Sequence, residues 1–250
     1  LVQWERWSAV LDRLDAHSAR QSDPALRDAG DAERALHLLT VEARYADAER
    51  LAADVLHRED PLDNATRMRA LEVLAWAAAS ANQPDSFDRA GAWFEQAIAL
   101  SRQQKSTRWW FRLTRLRAKV ALFPLGRADE LLASYDELLP VTPADSQLRA
   151  KLQLFRAEAL LDLGQYAEAD VALAESQRIA TRTDDGYMLG MVSWARSVAA
   201  SQQGRVDEMT HHQADAEHHI PDTDRRQLTM LYRDCVERSL RVGQLDVARR

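Results

Sequence analysis

The sequence predicts an all-α chain made of stacked helical hairpins, and three observations carry that prediction. A short turn motif recurs at a nearly constant interval. Apolar residues on both sides of it repeat at helical spacing. No stretch sustains the two-residue alternation of a half-buried strand, and 8 Gly and 7 Pro in 250 residues are too few for an ordinary all-β chain.

The turn is clearest at Leu163-Gly164-Gln165-Tyr166-Ala167-Glu168-Ala169. It recurs as Leu125-Gly126-Arg127-Ala128, Gln203-Gly204-Arg205-Val206 and Val242-Gly243-Gln244-Leu245. A glycine at this phase suits the left-handed residue that ends one helix before the next begins. After the turn, Tyr166, Ala169, Leu173 and Ser176 follow at offsets 0, 3, 7 and 10, one face of a helix. The same offsets give Trp4, Trp7, Leu11 and Leu14, then Tyr45, Ala48, Ala52 and Val55, then Phe87, Ala90, Phe94 and Ala97. They give Ala128, Leu131, Tyr135 and Leu138, then Val206, Met209, Gln213 and Ala216, and Leu245 with Ala248 starts a seventh set. The first members lie 41, 42, 41, 38, 40 and 39 residues apart.

Between these shorter helices the 3.6-residue period predicts longer ones, roughly at 24–42, 62–82, 106–123, 145–163, 184–203 and 222–242. Asp23-Pro24, Asp60-Pro61, Thr142-Pro143 and Pro221-Asp222 supply entry signals, Asp184 or Asp185 caps the fifth, and Pro124 closes the third. Carboxylate pairs such as Asp184-Asp185 and Glu59-Asp60 are explained by capping and dipole compensation, not by acid catalysis.

The small residue in the first helix, the Gly before the turn, the aromatic two positions later and the following Ala make Ala157, Gly164, Tyr166, Ala169 and Leu173 resemble the tetratricopeptide repeat. Pro221 falls where that family has its inter-repeat proline. The family period is 34 residues, here about 40, with a longer first helix, and Ala43 and Asn82 stand near two of the glycine places. The resemblance implies a right-handed α-solenoid of about six TPR-like helix-turn-helix repeats, a single superhelical domain over residues 1–250. Degenerate repeats of this length also resemble the superhelical arm of maltose-activator-type, LuxR-related bacterial transcription regulators. In those proteins an NTPase module precedes the arm and a helix-turn-helix DNA-binding domain follows it. Leu1 is not Met and Arg250 ends inside a helical pattern, so the chain is expected to be a fragment of such a larger protein.

Composition bounds the rest. Apolar residues at 46% allow a sizeable core. A formal charge of −6 argues against direct nucleic-acid contact. The lone Cys235 excludes an internal disulfide framework and reads as a small core residue. No apolar run approaches a membrane span, no secretory signal is visible, and a cytoplasmic location is expected. No phosphate-loop, dinucleotide, zincin or nucleophile-elbow motif is present, so no enzyme and no cofactor is expected. His211, Asp215 and His219 share a helix face at i, i+4 and i+8, a spacing that can hold Zn²⁺ or Ni²⁺. No further ligand pair is evident, the histidines read as a solvated face, and no metal is assigned.

By the resemblance, first helices line the concave face where ligands bind. The corresponding positions are Glu33 and His37; Arg69, Glu72 and Trp76; Arg112, Arg115 and Lys119; Lys151, Leu154 and Glu158; Met191, Trp194 and Val198; and Arg233 and Glu237. Arg108, Arg112, Arg115 and Lys119 form one basic stripe, able to take a carboxylate, a phosphate or an acidic peptide, or else a set of surface ion pairs. Trp109-Trp110-Phe111 packs three aromatics into one helix start, of which one can reach the groove. The expected binding residues are Trp76, Arg112, Arg115, Lys119 and Trp194. The expected function is a non-catalytic sensor arm of a signalling or transcription regulator, recognising an effector, peptide or partner protein. The alternative is a structural scaffold for protein assembly without a small-molecule site, and an enzyme acting through the histidine face is a third reading.

Overall fold

The computed structural model describes residues 23–58, 61–81, 85–122, 125–220, 225–241 and 243. Among the described residues every regular element is helical. The order is α1 (Pro24–Thr40), α2 (Tyr45–Leu56), α3 (Asn64–Ser80), α4 (Ser86–Gln103) and α5 (Thr107–Arg117), which runs into a π-helical turn (Ala118–Leu122). Then follow α6 (Ala128–Leu138) with a 3₁₀ turn (Leu139–Val141), α7 (Gln147–Asp162), α8 (Tyr166–Arg182), α9 (Gly186–Gln202), α10 (Val206–His219) and α11 (Arg225–Arg241). No helix among the described residues is long and apolar enough to cross a membrane. The expected sets beginning at Trp4 and at Leu245 lie outside the described residues.

The helices form two compact units, divided after Gly126. In the first, α1 packs on α2, α2 on α3, α3 on α4 and α4 on α5, while α1 also reaches α3 and α3 reaches α5. In the second, α6 packs on α7, α7 on α8, α8 on α9, α9 on α10 and α10 on α11, and α7 also reaches α9. Each helix therefore covers its sequence neighbours, and alternate helices touch as well: α1 with α3, α3 with α5 and α7 with α9. This contact pattern is the one that stacked helical pairs require.

The predicted offsets mark the core of every described second helix. Ala48, Ala52 and Val55 are buried, as are Ala90, Phe94 and Ala97; Leu131, Tyr135 and Leu138; Ala169, Leu173 and Ser176; and Met209, Gln213 and Ala216. The first members differ among themselves: Ala128 is buried, Tyr45 is exposed, and Phe87, Tyr166 and Val206 are half-buried. These residues open their helices, where the chain is still arriving from the turn. Ser176 ties α8 to α7 by donating its Oγ–H to the Ala150 carbonyl at 2.9 Å. First helices have neighbours on several sides, so α3 is buried at Met68, Ala70 to Ala75, Ala77 and Ala78 with no single apolar stripe.

Helix starts depart from two of the predicted entry signals. Asp23 does cap α1, its Oδ1 accepting from the Ala25 amide at 3.0 Å. The α3 cap is Asp63, not Asp60, and its Oδ1 accepts from the amides of Ala65 and Thr66 at 2.8 and 3.0 Å. Thr142-Pro143 follows the 3₁₀ turn instead of opening α7, whose cap is Ser146, accepting from the Arg149 amide at 3.1 Å. In each case the cap is the residue whose side-chain oxygen reaches the second or third amide of its helix. Of the two expected candidates for α9 it is Asp185 that caps, its Oδ1 accepting from the Met188 amide at 3.0 Å. Pro124 and Pro221-Asp222 lie outside the described residues.

All four repeat-phase glycines take positive φ, from 66° at Gly126 to 77° at Gly243. Ala43, at the same phase without glycine, adopts φ 53°, whereas Asn82 lies outside the described residues. The turn conformation is thus imposed by the hairpin, and glycine only removes its steric cost. A β-carbon on Gly164 would meet nothing within 4 Å, so Gly164→Ala isolates that backbone cost. It should lower stability by about 1 kcal/mol. Urea unfolding of the two chains measures the difference.

Candidate functional site

In the first unit, α1, α3 and α5 bring one face together around a buried carboxylate. Glu72, on α3, has no solvent exposure. Arg112, on α5, donates Nη2–H to its Oε1 at 2.7 Å and Nε–H to Oε1 and Oε2 at 3.1 Å each. Arg69, one turn before Glu72, donates from Nη1 to Oε2 at 2.6 Å. The Nε–H of the same guanidinium reaches back to Glu33 Oε1 on α1 at 2.7 Å. Two carboxylates and two guanidiniums therefore alternate across three helices as Glu33, Arg69, Glu72 and Arg112. Burial lowers the Arg112 pKa, but its hydrogen bond and charge interaction with Glu72, helped by Glu33, hold it above the ordinary value.

Trp109 completes the arrangement. Its ring lies 4.9 Å from the Arg69 guanidinium carbon and 5.9 Å from that of Arg112, within cation–π range of both. Beside it an open cleft of about 210 Å³ is lined by Ala29, Ala32 and Glu33 of α1, Asp63, Ala65, Thr66 and Arg69 at the start of α3, and Trp109 of α5. Small side chains on α1 and α3 leave this space, and the indole forms its far wall. The cleft offers methyl groups, an aromatic ring and the Glu33 carboxylate, which is 46% exposed.

The three adjacent aromatics take three roles. Trp109 lines the cleft, Trp110 sits 4.7 Å under the Arg102 guanidinium, and Phe111 is buried. Of the basic stripe, Arg112 is committed to Glu72, while Arg108, Arg115 and Lys119 are exposed. Lys119 lies in the π-helical turn, whose wider winding shifts it from the α-helical phase the 4-3-4 spacing assumes. Trp76 is half-buried and packs on the core shared by α1, α2 and α3. Trp194, on α9 of the second unit, is half-buried against Ala216, Ile220 and Leu231. Both tryptophans serve packing with at least one side of the ring. Leu154, placed on the groove by the resemblance, is a core residue with 1% exposure. Cys235 is half-buried, and burial first, then the charge of Glu217, push its thiol up to about 11, so it stays protonated at neutral pH.

The resemblance assigned Glu33, Arg69, Glu72 and Arg112 to the concave face but did not pair them. The signal was present: Glu33 and Arg69 are 36 residues apart, Glu72 and Arg112 are 40 apart, and each pair has opposite charge about one repeat apart. Removing Glu72 leaves two guanidiniums without their shared acceptor, whereas removing Arg112 leaves Glu72 still held by Arg69. Glu72→Ala should therefore cost about 3 kcal/mol, and Arg112→Ala, whose side chain is 46% exposed, only about 1 kcal/mol. Chemical denaturation of the two variants checks the order as well as the size.

No family model and no curated protein matches the chain. Its fold is similar to the crystal structure of BtubC (BKLC) from P. vanneervenii, with a TM-score of 0.59 over 96% of this chain and 87% of that one. At 15% sequence identity the likeness concerns the all-helical fold alone.

Proposed function

We propose that the chain is a non-catalytic binding arm whose first unit takes a short peptide segment of an effector or partner protein. In this reading it is a right-handed α-solenoid of about six repeats of the tetratricopeptide type. It works in the cytoplasm as part of a larger bacterial signalling or transcription regulator. The observation that carries the proposal is the cleft among α1, α3 and α5. It is concave, walled by small apolar groups and an indole, and bordered by a partly exposed carboxylate, the mix that orients an inserted side chain. The ion pairs behind it hold the Trp109 wall in place before any ligand arrives, which limits the ordering cost of binding.

Replacing Arg112 by Glu is a poor test of this function, because it sets a new carboxylate against the buried Glu72. The cleft itself is testable from both walls. Peptides selected from a displayed random library on the folded chain should lose roughly tenfold or more in affinity to Trp109→Ala and to Ala29→Trp, which fills the cleft from α1. Fluorescence anisotropy measures this, with circular dichroism confirming that both variants fold. Failure to select any peptide, or equal affinity for both variants and the parent chain, contradicts the proposal.

A further inference from the structure

The second unit holds a group of side chains that the binding arm does not use. On α10, His211 Nε2 lies 3.3 Å from Asp215 Oδ2, and His212 Nδ1 lies 4.0 Å from the same oxygen. One ligand atom from each of the three residues falls within 4.8 Å of the others. We propose that His211, His212 and Asp215 bind a divalent transition cation of the zinc type.

A zinc ion sits about 2.0–2.2 Å from imidazole nitrogen and carboxylate oxygen. Ligand atoms around one ion are therefore separated by roughly 3–4 Å, twice that bond length at most. The carboxylate already stands at such distances from both rings, so small side-chain rotations close the set. Two imidazoles with one carboxylate favour zinc, nickel or copper over calcium or magnesium, which prefer oxygen.

The spacing argument had grouped His211 and Asp215 with His219. His219 is turned elsewhere: its Nδ1 lies 2.8 Å from the Asp215 carbonyl, and its ring meets His218 edge-on at 5.2 Å. His212, the next residue after His211, takes its place because both rings lean toward Asp215, with centroids 5.5 Å apart. His212 is half-buried, and its pKa is lowered by burial foremost, then by Arg196 on α9 and by His211, against the opposite pull of Asp215 and Glu208. Three protein ligands on an exposed helix leave coordination positions open to water, and binding is weaker than at a closed four-ligand site.

The tag-free chain is titrated with Zn²⁺ at pH 7.5 against a chromophoric chelator. One ion per chain should bind saturably. His211→Ala, His212→Ala and Asp215→Asn should each weaken binding by roughly tenfold or more, judged by what outer-sphere partners alone are worth. His218→Ala should leave it unchanged. No saturable 1:1 binding, full affinity in Asp215→Asn or His212→Ala, or a loss in His218→Ala that matches the ligand variants overturns the assignment. Unchanged far-ultraviolet circular dichroism shows that the surface variants remain folded.

Discussion

A carboxylate sealed from water must find its counter-charges inside the protein, and Glu72 places that demand at the centre of the first unit. Its four lone-pair directions are answered from two helices, by Arg112 across a bidentate contact and by Arg69 one turn away. Because Arg69 also grips Glu33, the requirement at one residue fixes the relative register of α1, α3 and α5. Apolar packing alone would not set that register so tightly. Alanines such as Ala35, Ala70 and Ala77 tolerate sliding, whereas a bidentate guanidinium does not.

The cleft follows from the same constraint. Trp109 could turn toward several neighbours, but two guanidiniums flank its ring and give it one favourable place. With the indole held there, and with Ala29 and Ala65 too small to reach across, an open space remains. Structure that stabilises the stack thus also shapes the surface that the proposed function uses. It is also why Arg112, although half exposed, is a poor choice as a free ligand-binding cation.

The sequence makes the helical pairs legible because burial in a second helix has a period. Ala48, Ala52, Val55 and their counterparts face one seam, so the 3-4-3 spacing survives every substitution of residue type. First helices read less clearly. Leu154 and Trp76 lie on helices packed from several sides, where facing the groove phase does not mean facing water. Helix starts at Asn64 and Gln147 were displaced because a cap is chosen by the reach of a single oxygen, which Asp63 and Ser146 satisfy better than the proline-linked residues before them. The ion-pair lattice was the least visible part. Each charge looks like an ordinary surface residue until its partner one repeat away is considered.

The central claim is that Glu72 and Arg112 act as one unit in joining α3 to α5. A double-mutant cycle tests it most directly, with Glu72→Ala, Arg112→Ala and the double variant unfolded in urea. The account predicts a coupling of about 1–3 kcal/mol, the double variant being less destabilised than the sum of the single ones. Additive losses, with a coupling near zero, would mean that the two side chains sit together without holding the helices in register.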